Sequence, residues 1–392
     1  MYDLSRHPYF EPYVDPASGV TSYILKEKVA KLQYNLYFNE MGGITYDEKY
    51  MWFRCVDWPS DSTCLAVVSL NPDEPFIRTF PCTYQYRDTP FTIIPNTHDA
   101  LFTVGPVVYR IDIDGNVSKV LEIDNEFINF RRIDRISTHL SFNATKELIL
   151  LDMRIGGKSY IATGNFKTGE IKHIHKFMRH YNHAQFSPTD PDIFLLDEDW
   201  ERDPITGERF DVDKRMWIMD IHGTRLEPID SKNWFRHNHS IYCHDFWSQD
   251  GWLCWPDLLE NVYEYNIYTE QKNLVWSREI CHAHTLERKY WVGDASPYRW
   301  GKAPCRILFF DRTSGKEIDI FSALPRPAIL RAAYIPGAYH NDPHPSFSPT
   351  GNQIVSMTTI KNGEIDVAVT PVEPLLKLCR EKGNQINEPW HE

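Results

Sequence analysis

The stretch His344-Pro-Ser-Phe-Ser-Pro-Thr-Gly351, followed by Gln353-Ile-Val-Ser, decides the fold because the chain repeats it. Written as His-x-x-aromatic-Ser-Pro-x-Gly and then a strand, the phrase recurs as His183-Ala-Gln-Phe186-Ser-Pro-Thr-Asp190 before Ile193-Phe-Leu-Leu. It appears again as His244-Asp-Phe-Trp247-Ser-Gln-Asp-Gly251 before Trp252-Leu-Cys-Trp. A worn copy is His139-Leu-Ser-Phe142-Asn-Ala-Thr-Lys146 before Leu148-Ile-Leu-Leu. Between copies lies a second kind of turn: Asn165-Phe-Lys-Thr-Gly-Glu170, Asp220-Ile-His-Gly-Thr224, Asp311-Arg-Thr-Ser-Gly-Lys316 and Asp112-Ile-Asp-Gly-Asn116. Asp, Asn and Gly between alternating apolar residues mark hairpins. Four strands repeating about every 40–60 residues make a propeller blade. The reading is all-β, a seven-bladed β-propeller.

The first blade is laid from Gln33 to Asn71, with a degraded turn at Thr45-Tyr-Asp-Glu-Lys49, and the second from about Pro90. The third, fourth and fifth open near Ser137, Asn182 and Tyr242, the sixth at Cys281 and the seventh at Tyr339. Ser18-Gly-Val-Thr-Ser-Tyr-Ile-Leu25 supplies the strand that closes the ring beside the last blade. No shift in composition divides the chain, so residues 1–392 read as one propeller domain. Residues from about 372 to 392 form a C-terminal extension, with a short helix around Leu375-Leu-Lys-Leu-Cys-Arg380.

Composition fits that fold. Hydrophobic residues make 42% and aromatics 14%, which excludes a disordered chain, and the 12 Trp, 21 Tyr and 21 Phe favour strands. A net charge of -12 argues against nucleic acid as a partner. It also requires that any anionic substrate be attracted locally, against the field of the whole molecule. The eight cysteines lie far apart without a CxxC pair and read as reduced, buried thiols. No apolar run approaches membrane length and Met1-Tyr-Asp-Leu-Ser-Arg-His7 is no signal segment, so no membrane partner and a cytoplasmic location are expected.

Ring symmetry would gather residues that the sequence scatters. His183, His244 and His344 hold one position in their units and should meet on one rim of the channel. His284, in Cys281-His-Ala-His-Thr285, opens the sixth unit similarly, and is preferred to His282 because Thr-Leu then resumes the strand. His340-Asn-Asp-Pro-His344 packs two imidazoles and a carboxylate into five residues, with Pro343 and Pro345 stiffening the backbone. Mixed imidazole and carboxylate donors suit a divalent transition ion, and Zn, Mn, Fe and Ni all remain open. The metal set is therefore His284, His340, Asp342 and His344. The plain alternative is a structural histidine that hydrogen-bonds the neighbouring blade. Arg215, in Asp213-Lys-Arg-Met-Trp217, is either a salt-bridged strand end or a cation aimed at a substrate carboxylate. His183 and Tyr339 complete the substrate-binding set with Arg215.

Asp213-Lys-Arg-Met-Trp217, Cys243-His-Asp-Phe-Trp-Ser-Gln-Asp-Gly251, Val292-Gly-Asp-Ala295 and Asp342-Pro-His-Pro-Ser-Phe-Ser-Pro349 together resemble the oligogalacturonate lyases, polysaccharide lyase family 22. The likeness is firm from about 180 to 360 and extends loosely to Tyr13-Val-Asp-Pro-Ala-Ser-Gly-Val-Thr21. It implies a seven-bladed propeller that splits acidic uronate oligosaccharides by β-elimination with a Mn²⁺-type ion. It also implies His244 as the catalytic base, Arg215 as a charge-balancing arginine, His284 as a metal ligand, and His344 as the second histidine of the family's His-Pro-His. Two positions depart from the pattern: Asp342 stands where the first of those histidines belongs, and Tyr339 where the family has a ligand glutamine, which His340 can replace. Two other classes fit a propeller with these residues, a non-catalytic binding module and a metal-dependent hydrolase or lactonase.

Overall fold

The computed structural model describes all residues except 1, 37–41, 57–61, 87–89, 204, 211, 213, 230–243, 258–260, 296–303, 328–341 and 391–392. Seven antiparallel sheets follow one another along the chain. The first comprises Leu32–Tyr34, Tyr50–Val56, Ser62–Ser69 and Ile77–Tyr86; the second Thr92–Ile93, Ala100–Val104, Val107–Ile111 and Val117–Glu122. The third holds Ile133–Arg135, Leu148–Ile155, Lys158–Asn165 and Ile171–Phe177; the fourth Tyr181–Phe186, Ile193–Glu198, Met216–Asp220 and Leu226–Pro228. The fifth holds Phe246–Trp247, Leu253–Asp257, Asn261–Tyr265 and Lys272–Trp276; the sixth His282–His284, Tyr290–Ala295, Cys305–Asp311 and Lys316–Leu324. The seventh has Ser346–Phe347, Gln353–Thr358 and Asp366–Pro371, and borrows its next strand from the N-terminus.

That borrowed strand is Thr21–Leu25, where the sequence placed it. Tyr23 pairs with Val369 and Ile24 with Ala368, and Phe10–Val14 adds a further strand outside. Two blade limits differ from expectation. The first blade continues past Asn71 to Tyr86, because Ile77–Tyr86 is its outermost strand, and the third begins at Ile133. The starts placed at Tyr242 and Tyr339 lie outside the described residues.

Packing explains why these strands are apolar on both faces. Alternate residues of a strand point to opposite sides of the sheet, and each inner sheet is covered by a blade on either side. In the third blade Ile149 and Leu151 pack with Leu101 and Val108 of the second, whereas Leu150 packs with Phe186 and Phe194 of the fourth. In the sixth, Leu308 and Phe310 join Phe246 and Cys254 of the fifth, while Ile307 and Phe309 join Phe347 and Ile354 of the seventh. A one-residue slip would exchange the two sets, so register is strongly fixed.

Interblade contacts are also ionic, and one is deeply buried. Glu264 of the fifth blade is fully buried and accepts two bonds from the Arg312 guanidinium of the sixth, at 3.0 and 3.1 Å, and another from Asn273 at 2.8 Å. Glu264→Ala leaves a buried guanidinium without its counter-charge and is expected to cost about 3–5 kcal/mol, read from the urea midpoint.

The C-terminal helix, Val372–Lys382, buries Leu375 and Cys379 against the sixth blade, and Arg380 Nε donates to Asp311 at 2.9 Å. Asn384–Gln385 then adds a strand to that blade. Cys55, Cys254, Cys305 and Cys379 are buried as expected, but Cys64 and Cys281 are only partly buried and Cys82 is exposed. No described helix is long and apolar enough to cross a membrane.

Candidate functional site

The repeat builds the site through its turns. Gly251 N donates to Ser248 O at 2.9 Å and Gly351 N to Ser348 O at 2.9 Å, and both glycines are left-handed. The same turn exists where the sequence hides it. Lys146 N donates to Asn143 O, Glu48 N to Thr45 O, and Arg288 N to the Thr285 hydroxyl at 3.0 Å, and Lys146, Glu48 and Arg288 are all left-handed. Thr285-Leu-Glu-Arg288 is thus the sixth blade's copy of Ser-Pro-x-Gly. Four residues before the turn stand His139, His183, His244, Cys281 and His344 in five successive blades. His183, His244 and His344 also share left-handed backbones, with φ of 51°, 55° and 43°. Non-glycine residues rarely hold that conformation, and it costs about 1–3 kcal/mol each time.

The innermost strands of the fifth, sixth and seventh blades meet here. The His282 ring lies 4.0 Å, centroid to centroid, from that of His244 and 3.6 Å from that of His344. His282, Asp342 and His344 place ligand atoms within 4.8 Å of one another, and so do His244, Cys281 and His282. His282 is common to both groups, and its Nε2 lies 3.9 Å from Cys281 Sγ. Asp294 organises the arrangement. Its carboxylate accepts from the backbone N of His282 at 2.7 Å and of His344 at 3.1 Å, and lies 2.9 Å from His282 Nδ1. That contact puts the proton on Nδ1 and leaves Nε2 a lone pair facing the cluster.

The expected ligand His284 is not part of this group. It lies one pleat deeper, where its ring stacks on Phe246 and its Nδ1 accepts from Phe347 N at 3.1 Å. It buttresses one blade against its neighbours, which was the plain alternative. His282 occupies the place that the sequence gave to His284, because it is paired across the strands with Asp294. Asp342 and His344 are brought together as expected. His340 and Tyr339 lie outside the described residues.

The donor set fits a divalent cation: imidazoles, a carboxylate and a thiol converge, and a second carboxylate orients one imidazole. Burial, the largest influence on His282, opposes a positive charge. Asp294, by charge and hydrogen bond, and Asp342 outweigh it and raise the imidazole above its ordinary value. Surroundings that hold a proton there also favour a metal ion.

Next to this cluster, in the third and fourth blades, lies a second polar group. His183 is held well below the usual imidazole range by burial, then by His139, Arg215, Arg135 and His244, so it is neutral; its Nδ1 sits 3.2 Å from His139 Nε2. Arg215 faces Asp197 at 2.5 Å, Asp199 at 3.5 Å and Asp245 at 3.9 Å. Burial pushes the Asp197 carboxyl well up; Arg215 opposes this and Asp245 adds to it. Arg215 is thus an ion-paired strand end that lies beside the cluster.

The sequence reading missed the aspartates. The fifth residue of the second strand is Asp152, Asp197, Asp257 and Asp294 in the third to sixth blades, and all four are buried. Leu-Leu-Asp, Leu-Leu-Asp, Trp-Pro-Asp and Val-Gly-Asp were the visible trace. Asp152 serves its blade as Asp294 does, accepting from Thr138 N at 2.6 Å and Ser137 Oγ at 3.0 Å.

His180, beside this group, is drawn down to about 4 by burial and by the charges of Arg135 and Arg154. The unfolded chain takes up a proton near 6.5 and the folded chain does not, so stability is complete above about pH 6.5 and declines as the pH falls towards 4. The loss attributable to His180 is roughly 3 kcal/mol. Urea unfolding at about pH 7 and 4.5 should show a smaller difference in His180→Gln than in the parent.

No protein-family profile and no curated protein sequence matches the chain. Two solved structures are similar over nearly all of it. An oligogalacturonate lyase in complex with manganese aligns with a TM-score of 0.70 at 15% identity, covering 94% of this chain and 97% of that one. The oligogalacturonate lyase of Vibrio parahaemolyticus aligns with a TM-score of 0.71 at 14% identity, covering 93% and 96%. At such identity the likeness is one of backbone: this chain has the seven-bladed β-propeller fold seen in the oligogalacturonate lyases.

Proposed function

We propose that the protein is a lyase that cleaves uronate-containing oligosaccharides by metal-assisted β-elimination. One observation carries the reading: His244 stands in ring contact with His282, at the edge of the His282–Asp342–His344 group. That is a base next to a place for a cation, which this chemistry requires. The proton to be removed, on C5 of a uronate, lies beside a carboxylate that is already negative. Taking it away puts more negative charge on that carboxylate in the transition state. A divalent ion held by His282, Asp342 and His344 would offset that charge. Manganese is the ion of the similar lyase structure and the first to test.

The chain's own residues do the rest. His244, as a neutral imidazole, accepts the C5 proton. The C–H electron pair becomes the C4–C5 double bond, the C4–O bond breaks, and the departing oxygen takes a proton from water or Tyr339. Arg215 adds positive charge on the side of the substrate carboxylate, and neutral His183 offers that face a hydrogen-bonding group without charge. Local cationic groups let an acidic protein hold an acidic sugar.

The deciding measurement is a screen of uronate oligosaccharides, followed by the ultraviolet absorbance of the unsaturated product, with chelator and then with added Mn²⁺. Absorbance that disappears with chelator and returns with metal supports the reading. Products lacking the double bond would indicate a hydrolase, and no turnover of any oligomer a binding propeller.

A further inference from the structure

The sixth blade departs from its neighbours at one position. The turn register puts Cys281 where the third, fourth, fifth and seventh blades carry His139, His183, His244 and His344. Its strand is held beside the cluster by the pairing of His282 with Asp294, and by the Cys281 N donating to Asp294 O at 2.8 Å. The side chain is partly exposed, and its Sγ lies within 4.8 Å of ligand atoms of both His244 and His282. His282 is the one residue shared with the Asp342–His344 group, so a cation taken by its Nε2 is in reach of the sulfur. Two metal–ligand bonds of about 2.0–2.3 Å span at most about 4.5 Å, so the 3.9 Å between Cys281 Sγ and His282 Nε2 lets one cation touch both.

We propose that Cys281 is a thiolate ligand of the cation at this centre, and that the site consequently prefers a softer ion, Zn²⁺, Fe²⁺ or Co²⁺, to Mn²⁺. This rests on the metal-site reading above and sharpens it. Thiolate favours the softer ions, while Mn²⁺ is the weakest binder of the first-row series and is best served by oxygen. Asp342 in an otherwise nitrogen and sulfur set keeps an oxygen donor for Mn²⁺, so the preference is graded. Binding releases the thiol proton to solvent, and the sulfur donates a lone pair without changing oxidation state.

The test loads the chelator-stripped, reduced full chain with Co²⁺ and records its near-ultraviolet and visible spectrum, together with metal content after dialysis. A sulfur-to-cobalt charge-transfer band is expected in the parent and absent in Cys281→Ser. In competition, the advantage of Zn²⁺ over Mn²⁺ should narrow at least about 10-fold in Cys281→Ser, as expected when a soft donor is exchanged for a hard one. Cobalt bound in the parent without the band would overturn the thiolate assignment and leave the metal site standing. A band that survives in Cys281→Ser places the sulfur elsewhere and overturns it too. No retention of Co²⁺, Zn²⁺ or Mn²⁺ by the parent removes both this inference and the metal-assisted lyase on which it rests. Circular dichroism of Cys281→Ser verifies that its fold is unchanged.

Discussion

His244→Ala is expected to lower turnover of a cleaved uronate oligomer by about 10³-fold or more while the cation stays bound. His244 reaches the cluster from the fifth blade on a left-handed backbone, so its ring direction is imposed by the fold. Its ring contacts that of His282, whose Nδ1 is taken up by the Asp294 carboxylate. A base must touch the cation's neighbourhood without being consumed by it. Turnover by a rapid ultraviolet assay and metal content by elemental analysis separate the two roles. If His244→Ala loses the ion together with the activity, His244 is a ligand and the base must be sought elsewhere.

The second large effect concerns metal content. His282→Ala should weaken the ion by more than about 10²-fold, because it removes the one side chain common to both ligand groups, and Asp342→Ala and His344→Ala should each strip it as well. Asp294→Asn, which leaves every donor in place but weakens the hold on His282 Nδ1, should cost about 10–100-fold. His284→Ala is the contrasting variant: its ring fills space between Phe246 and Phe347, so stability should fall and the metal should remain. Unchanged metal content in His282→Ala, Asp342→Ala and His344→Ala alike would refute the centre.

Much of this was legible in the sequence, for a physical reason. A propeller repeats its turns because each blade solves the same strand-reversal problem, so His183, His244 and His344 announced themselves along with the Ser-x-x-Gly, or Ser-x-x-Asp after His183, that follows. What was not legible had lost its marker residue. Arg288 adopts the left-handed conformation where glycine usually marks the turn, so the sequence carries no sign of the sixth blade's register and does not single out His282 over His284. With the turn located at Thr285, the repeat position falls on Cys281 and the inward-facing imidazole on His282. Strand alternation could not separate His282 from His284, since both point to the same side of the sheet. Their difference lies in depth and in the partner across the strand, Asp294 for one and Val292 for the other. Asp294 carries no sequence mark of its own beyond the Val-Gly-Asp near the end of its strand. Its role depends on three donors arriving from two blades, which no local pattern contains.

The seam between Thr21–Leu25 and Asp366–Pro371 also sets a timetable for biosynthesis. Tyr23 leaves the ribosome 346 positions before its partner Val369, so at about 5–20 residues per second its strand waits roughly 17–70 s with an unsatisfied edge. The blade that carries His344 is among the last to be made, and it becomes rigid only when that waiting strand docks. The His282–Asp342–His344 group, which draws on that blade, is therefore completed only near the end of synthesis.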